Sequence, residues 1–317
     1  MSSTRAGWDG ARVFVTGGSG FVGTNLIRHL AHLGATCTSL DLAEPPAGLP
    51  VARSAIGSAD DSELLRDFIA EADVVFALAG RSGAVDSMSS IEQDLQTNCV
   101  AQIRLLECVR DLNPGAHVVF PGSRLEYGRA VRLPIDEEHP IAPLSPYALH
   151  KFTAGQYHMV YHRHYGVRST VLRLSNPYGP HADGSRTGYY SVLNRFIDTA
   201  IADGAITLFG EGSQVRDYIY VQDVVEALAA AATSDAAVGQ VLNIGSGVPT
   251  SIAEAAQTVV DVVGSGRIEH MPWPADYAEV ETGDSYFCID RARTLLDWEP
   301  TTDLACGIRM CIAGQDR

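Results

Sequence analysis

Lysine is all but missing from this sequence. Lys151 is the only one among 317 residues, so nearly all fixed positive charge is arginine. Positive charge as a whole is scarce: 23 Lys and Arg against 38 Asp and Glu leave a formal net charge of −15. That balance, with no basic run interleaved with aromatics, argues against a nucleic-acid or acidic-membrane partner. The six cysteines (Cys37, Cys99, Cys108, Cys288, Cys306 and Cys311) include no CxxC pair. Neither a zinc site nor a disulfide framework is indicated, no metal is expected, and the plain reading is reduced thiols. No apolar run approaches a membrane span, and the first ten residues lack the apolar stretch of a signal peptide. A cytoplasmic location is therefore expected. Repeats and low-complexity linkers are also missing. What is present, 46% hydrophobic and 19% charged residues, is the composition of a globular enzyme. The length suits one large α/β unit with an appended lobe.

The solitary ammonium stands four residues after Tyr147. Ser145 is a good N-cap and Pro146 a good first-turn residue, so a helix is expected to start here. Positions i and i+4 share a helix face, which points phenol and ammonium into one site. A charge ~4 Å away at an effective dielectric of ~20 favours the phenolate by roughly 4 kcal/mol. On that arithmetic Lys151 brings the phenol near neutrality, poised for proton transfer. The spacing alone is common, and the rest of the chain must support it.

Ala11–Thr16 reads as a buried strand that runs into Gly17-Gly18-Ser19-Gly20-Phe21-Val22-Gly23. A helix follows to about His32, and a second strand, Thr36 to Leu40, ends on Asp41. Strand, glycine turn, helix, strand and acid in this order form the dinucleotide-binding fingerprint. The glycines let the backbone approach a pyrophosphate, whose charge sits on the helix N-terminus. Asp41 suits ribose hydroxyls and opposes a 2′-phosphate, which favours NAD over NADP. Further βα units follow: helix Ser62–Ala70, strand 72–78, a long helix Ile91–Leu112, and strand His117–Phe120. Strands apolar on both faces and alternating with helices predict a doubly wound parallel Rossmann sheet. Its ligand rim, beyond the strand C-termini, would carry Gly17, Asp41, Gly80 and Ser123.

Beyond this point the chain resembles the extended short-chain dehydrogenase/reductases, in their NAD-dependent nucleotide-sugar epimerase/dehydratase branch. The resemblance rests on TGGSGFVG at Thr16–Gly23, LAG at Leu78–Gly80, and Ser87 with Asn98. It continues through GSRLEYG at Gly122–Gly128, YALHK at Tyr147–Lys151, RLSNPYGP at Arg173–Pro180 and RDYIYVQD at Arg216–Asp223, all in the family's order. It implies a catalytic set of Ser123, Tyr147 and Lys151. It implies cofactor contacts from Gly17, Gly20, Phe21, Val22, Asp41, Leu42, Leu78, Ala79, Gly80, Asn98, Tyr147, Lys151 and Ser175. Ser58 stands where relatives often carry an acid, which leaves Ala59 and Asp60 as the adenine contacts. Substrate contacts are implied for Arg81, Ser82, Ser123, Tyr147, Asn176, Thr207, Phe209, Arg216 and Asp284, with Arg216 on the diphosphate.

In the second half, strand Val167–Leu174 leads into a loop at Ser175–Pro180, and Asp183–Gly188 reads as a mobile, glycine-rich stretch. Helix Val192–Ile201, strand Ile206–Gly210, helix Val221–Ala232 and strand Val241–Ile244 follow. The expected organisation is a Rossmann domain of residues 1–175, with 218–245 returning to it. Residues 176–217 and 246–317 would form a substrate lobe, and Trp273–Phe287 would close over substrate. His158, Tyr161, His162 and Tyr165 make a helical stripe that suits a packing or dimer face. The resemblance implies a homodimer through helices 91–112 and 147–165. The activity so implied is NAD-dependent C4 epimerisation of a nucleoside-diphosphate sugar through a 4-keto intermediate. A nucleotide-sugar 4-ketoreductase is the nearest alternative, ahead of a C4-oxidising decarboxylase or a non-catalytic dinucleotide sensor. A 4,6-dehydratase is not expected, because Arg124 and Leu125 occupy the positions of that enzyme's extra acid and base, and in an extended segment Glu126 would face away.

Overall fold

The computed structural model describes residues 7–180, 191–274 and 278–313; the Asp183–Gly188 stretch lies outside the described residues. Strands β1 (Arg12–Thr16), β2 (Thr36–Asp41), β3 (Arg53–Ile56), β4 (Val74–Ala77), β5 (His117–Ser123) and β6 (Arg168–Leu174) come first. Four short strands follow: β7 (Asn176–Tyr178), β8 (Ala205–Phe209), β9 (Val215–Arg216) and β10 (Tyr218–Tyr220). The last strands are β11 (Val241–Ile244), β12 (Thr250–Ser251) and β13 (Arg267–Met271), with helix Ile252–Val263 after β12 and helices Asp290–Leu296 and Leu304–Ala313 after β13. The central sheet has seven strands in the order β11-β6-β5-β4-β1-β2-β3, and every pairing in it is parallel. The order reverses between β1 and β4, and the crevice above that point is where such sheets bind ligands.

Alternation along each strand feeds two cores. Val13 and Val15 of β1 point to one face, where Leu26, Ile27 and Leu30 of helix Phe21–His32 meet Val224 and Leu228 of helix Val221–Thr233. Phe14 points to the other, against Leu65, Phe68, Leu105, Val109, Ala154 and Met159. Helices Ser62–Ile69, Ala101–Leu112 and Pro146–Tyr165 supply that second layer. A third core gathers Tyr178, Leu193, Phe196, Leu208, Tyr220, Val259 and Ile308. The chain re-enters the sheet layer late: Ala292, Leu296 and Trp298, in and after helix Asp290–Leu296, are buried with β1 and β11.

Three details depart from the sequence reading. The helix expected over 91–112 is interrupted by a π turn at Gln96–Val100, between Ile91–Leu95 and Ala101–Leu112. The expected loop after β6 contains β7, which pairs in parallel with β10. Pro177 is tolerated there because a two-stranded ribbon leaves one edge unpaired, where a missing N–H costs nothing. The arginine-bearing strands β3 and β13 are largely exposed and gave no apolar signal. Among the described residues no helix is long and apolar enough to cross a membrane.

Candidate active site

The glycine turn is built by close approach. Gly17 has φ +74°, its N–H donates to Leu40 O at 2.8 Å, and a Cβ on it would stand 2.7 Å from Ala79 N. A Cβ on Gly23 would stand 2.2 Å from Gly17 O. The turn therefore lies flat against Leu78–Ala79, and Ala79 N is tied to Thr16 Oγ1 at 3.2 Å. Gly20 caps helix Phe21–His32 without a side-chain bond, and no acid occupies the first turn. Phe21 and Val22 open that helix. No acid of its own first turn competes there, which fits a pyrophosphate. Asp41 ends β2 beside the turn, accepting from Ser19 N at 2.9 Å and Ala43 N at 3.2 Å, while Leu42 is exposed next to it. Two carboxylate oxygens accept about four bonds, so Asp41 keeps capacity for ribose hydroxyls. Ala59 and Asp60 follow β3, where Gln96 Nε2 donates to Asp60 at 2.6 Å. That bond, the Ser58 hydroxyl and nearby Arg104 hold the Asp60 carboxyl below its usual range.

Ser123 ends β5, and its hydroxyl lies near enough to the phenol of Tyr147, at the start of helix Pro146–Tyr165, to favour that phenol's ionised form. Ser145 caps that helix as expected, accepting from Ala148 N at 3.3 Å, and Ser87 Oγ accepts from Tyr147 N at 3.1 Å. Lys151 is buried one turn on, with Nζ 4.1 Å from the Phe120 ring centroid. The electrostatics correct the sequence reading. Burial pushes the Tyr147 phenol up to about 12, against the lowering pull of Ser123 and the nearby Arg124. Burial also pulls Lys151 down to about 8, although Glu126 and Asp94 favour its charge. In a desolvated cleft both members of the pair are driven towards neutrality, so desolvation outweighs the Coulomb gain that the four-residue spacing suggested.

Two buried circuits brace this centre, and neither was anticipated. Residues Arg124–Tyr127 form a 3-10 turn rather than the extended segment assumed from the sequence. Within it Glu126 accepts from Ser123 N at 2.7 Å and from Arg173 Nε at 2.7 Å. On the other side, Asp94 binds His150 Nδ1 at 2.6 Å and accepts from Asn98 Nδ2 at 3.0 Å. Asn98 Oδ1 then accepts from Arg81 N at 3.1 Å. Asn98 sits in the π turn and holds the Gly80-Arg81 backbone; Ser82 continues that loop, half-buried. The histidine stripe turns inward: His158 binds Ser169 Oγ at 2.7 Å and stacks on Phe120, and Tyr161 donates to Glu107. His158 and Tyr161 are thus packing residues, while Tyr165 at the end of the stripe is exposed.

The facing wall comes from distant segments. Asn176 Oδ1 accepts from Arg124 Nε at 2.8 Å, and its Nδ2 donates to Asp217 O at 2.8 Å. Ser175 Oγ donates to Asp217 Oδ1 at 3.3 Å, and Asp217 also accepts from Ser246, Gly247 and Phe287. Arg216 is held by Glu281 at 2.6 Å and by the carbonyls of Val215 and Gly283. Asp284 is exposed and accepts from Val215 N at 2.9 Å, so it ties the 281–287 segment to β9. Thr207 and Phe209 lie on β8, and the Phe209 ring packs on Trp273 at 5.6 Å. Arg124 is the functional candidate that sequence reading passed over; its adjacency to Ser123 was the available signal.

Known proteins match this arrangement along the whole chain. A UDP-glucose 4-epimerase of Mycolicibacterium smegmatis is 31% identical over 313 residues, covering 94% of this chain and 96% of that protein. The solved structure of an epimerase from Methanothermobacter thermautotrophicus superposes with TM-score 0.90 at 27% identity, covering 100% of this chain and 95% of that one. The UDP-glucose 4-epimerase of Thermotoga maritima, solved with UDP-glucose, gives TM-score 0.86 at 26% identity over 96% and 98% of the two chains. A profile of the NAD dependent epimerase/dehydratase family matches residues 13–245, which span both the glycine turn and the Ser123–Tyr147–Lys151 set. The chain is a member of the NAD-dependent epimerase/dehydratase family.

Proposed function

We propose that this chain is a nucleoside-diphosphate-sugar 4-epimerase working through a transient 4-keto sugar. The observation that carries this reading is the Ser123 hydroxyl beside the Tyr147 phenol, one helical turn from the buried Lys151 and on the same rim as the glycine turn. The UDP-glucose 4-epimerase relatives support the choice of reaction. NAD would be held by the Gly17–Gly23 turn and the uncapped helix at Phe21, with Asp41 on its ribose, and would supply the hydride acceptor and donor. Tyr147 takes the proton of the C4 hydroxyl as the ketone forms and returns it when the ketone is reduced. Ser123 holds the same oxygen, and Lys151 contributes positive charge to the floor of the cleft. Asn176 and Arg216 would face the diphosphate, Thr207 and Phe209 the base, and Arg81 and Ser82 the sugar. Loss of water across C5–C6 of the 4-keto sugar is not expected, since Arg124 and Leu125 provide neither a second acid nor a base. A homodimer is consistent with the exposed Met88, Ile91, Leu95, Leu149 and Tyr157 on the helices flanking the site.

A second reading, an NADH-dependent 4-ketoreductase, has one observation in its favour. Tyr147 pushed up to about 12 is a neutral phenol at pH 7, the form that protonates a ketone. The fate of the cofactor separates the two. Purified protein is incubated with UDP- and dTDP-sugars without added reductant, and C4 epimers are resolved by chromatography. Equilibration of two epimers supports epimerisation; turnover that stops when stoichiometric NADH is exhausted replaces it with reduction.

A further inference from the structure

The turn at Arg124–Tyr127 sends its two charges in opposite directions. Glu126 points inward and is closed off by Ser123 N and Arg173. Arg124 reaches across the cleft, where Nε donates to Asn176 Oδ1 at 2.8 Å and Nη1 to Thr282 Oγ1 at 3.0 Å. Both acceptors are neutral. Among the described residues no carboxylate lies within ion-pair distance of Arg124, and Glu281, the acid on this wall, is engaged by Arg216 at 2.6 Å. Three of the five guanidinium N–H groups are left without a protein acceptor among those residues. The neighbouring wall repeats the pattern: the Tyr218 hydroxyl is buried with no hydrogen-bond partner, in a residue only 5% exposed. Tyr218 stands opposite Asn176 in the β7–β10 ladder and feels the charge of both Arg124 and Arg216. A half-buried cation with spare donors beside an orphaned hydroxyl is a place shaped for an anion.

The position of Arg124 says which anion. It is one residue from Ser123, and its charge acts directly on the Tyr147 phenol. In a nucleotide sugar the diphosphate hangs from C1, across the ring from C4, whereas the substituent on C5 is the neighbour of C4. An anion gripped beside Ser123 and Tyr147 therefore belongs to the sugar. We propose that Arg124 is a specificity-determining anchor for a carboxylate on the sugar ring, so that the chain takes nucleoside-diphosphate uronic acids in preference to neutral hexoses. A carboxylate meets the free edge of the guanidinium as a two-pronged acceptor, while a primary alcohol leaves its charge uncompensated in the closed cleft. The inference rests on the function proposed above and adds the substrate class.

Calorimetry on the NAD-loaded protein tests it, with UDP-glucuronic acid, UDP-glucose and UDP alone, and with the dTDP forms in parallel. The wild type is expected to bind the uronic acid about 10–100-fold more tightly than the hexose. Arg124→Leu should bring the ratio of uronic-acid to hexose affinity to within about 3-fold of one, and Arg124→Lys should recover part of the preference. Arg124→Gln keeps a donor for Asn176 and serves if the leucine variant fails to fold. Equal loss on all three ligands, UDP included, would assign the guanidinium to the diphosphate and overturn the inference. Wild-type protein that prefers the hexose, or binds both sugars alike, would overturn it without any variant. A wild type that binds no nucleotide sugar would overturn the function proposed above along with it.

Discussion

On the cofactor side of the cleft the donors are backbone N–H groups near strand ends: Gly17 N on Leu40 O, Ala79 N on Thr16 Oγ1, Ser19 N on Asp41. On the substrate side they are side chains from separate segments, Arg124 with Asn176 and Thr282, and Arg216 with Glu281, bridging 52, 158 and 65 residues. The first wall depends on the absence of side-chain atoms, and a single Cβ disrupts it. The second depends on which polar groups happen to meet, so it can be rewritten one residue at a time without disturbing the sheet. A wall of the first kind suits a constant ligand, and one of the second kind a variable ligand.

The largest effect is expected at Tyr147, where the two walls meet. Tyr147→Phe should cut turnover by ~10²–10⁴-fold or more while NAD affinity, followed by fluorescence titration, stays near wild type. A variant with near-normal turnover would remove the proton-transfer role. Next is Glu126→Ala, which leaves Arg173 charged and buried without its partner. Chemical denaturation should show a loss of about 3–5 kcal/mol. A loss below 1 kcal/mol would mean that the inner circuit does not support the substrate wall.

A pH effect comes from the scaffold common to both walls. His117 at the foot of β5 is held between Ala232 O and Thr170 Oγ1, and burial lowers it to about 4. Between pH 6.5 and about 4 the unfolded chain binds the proton and the folded one does not, so stability falls as the pH drops through this window. Above 6.5 the group contributes nothing to the slope, and below 4 the loss is complete, at about 3 kcal/mol. His117→Asn should flatten that limb in a series of melting temperatures against pH; an unchanged slope would place the titration elsewhere. Overpacking of about 1–3 kcal/mol or more is expected for Gly23→Ala on the cofactor wall, where the added Cβ would meet Gly17 O at 2.2 Å. It should fall on NAD affinity ahead of overall stability. If nucleotide-sugar affinity fell more than NAD affinity, the division of the cleft would be wrong.

The same contrast explains what could be read in advance. The cofactor wall is contiguous in sequence, since the glycine turn, its helix and Asp41 occupy residues 17–41, and periodicity with turn chemistry suffices to place them. The helix from Pro146 was equally legible because its cap, proline and Tyr–Lys spacing are local. The Arg124–Asn176–Thr282 cluster was not, because no local pattern ties residue 124 to residue 282. Glu126 was misjudged because a capping box at Ser123 winds the segment into a turn instead of leaving it extended. The π turn carried no recognisable signal in Gln96–Val100 and is understood only through Asn98 and Asp94, which it brings to the site. The acidity of Tyr147 was misread because spacing reports a charge but not the solvent removed from around it.

Lys151, as the one lysine in the chain, also concentrates a kind of reactivity. Its amine is held near 8 by burial, so much of it is uncharged and nucleophilic in mildly alkaline solution. An acylating or reductive-alkylating reagent meets no other side-chain amine. Apart from the terminal amine, one added mass on the intact protein is then one modified cleft, and whatever fills the cleft slows its appearance. The protein thus carries a built-in occupancy label at its reacting centre, readable without any engineered probe.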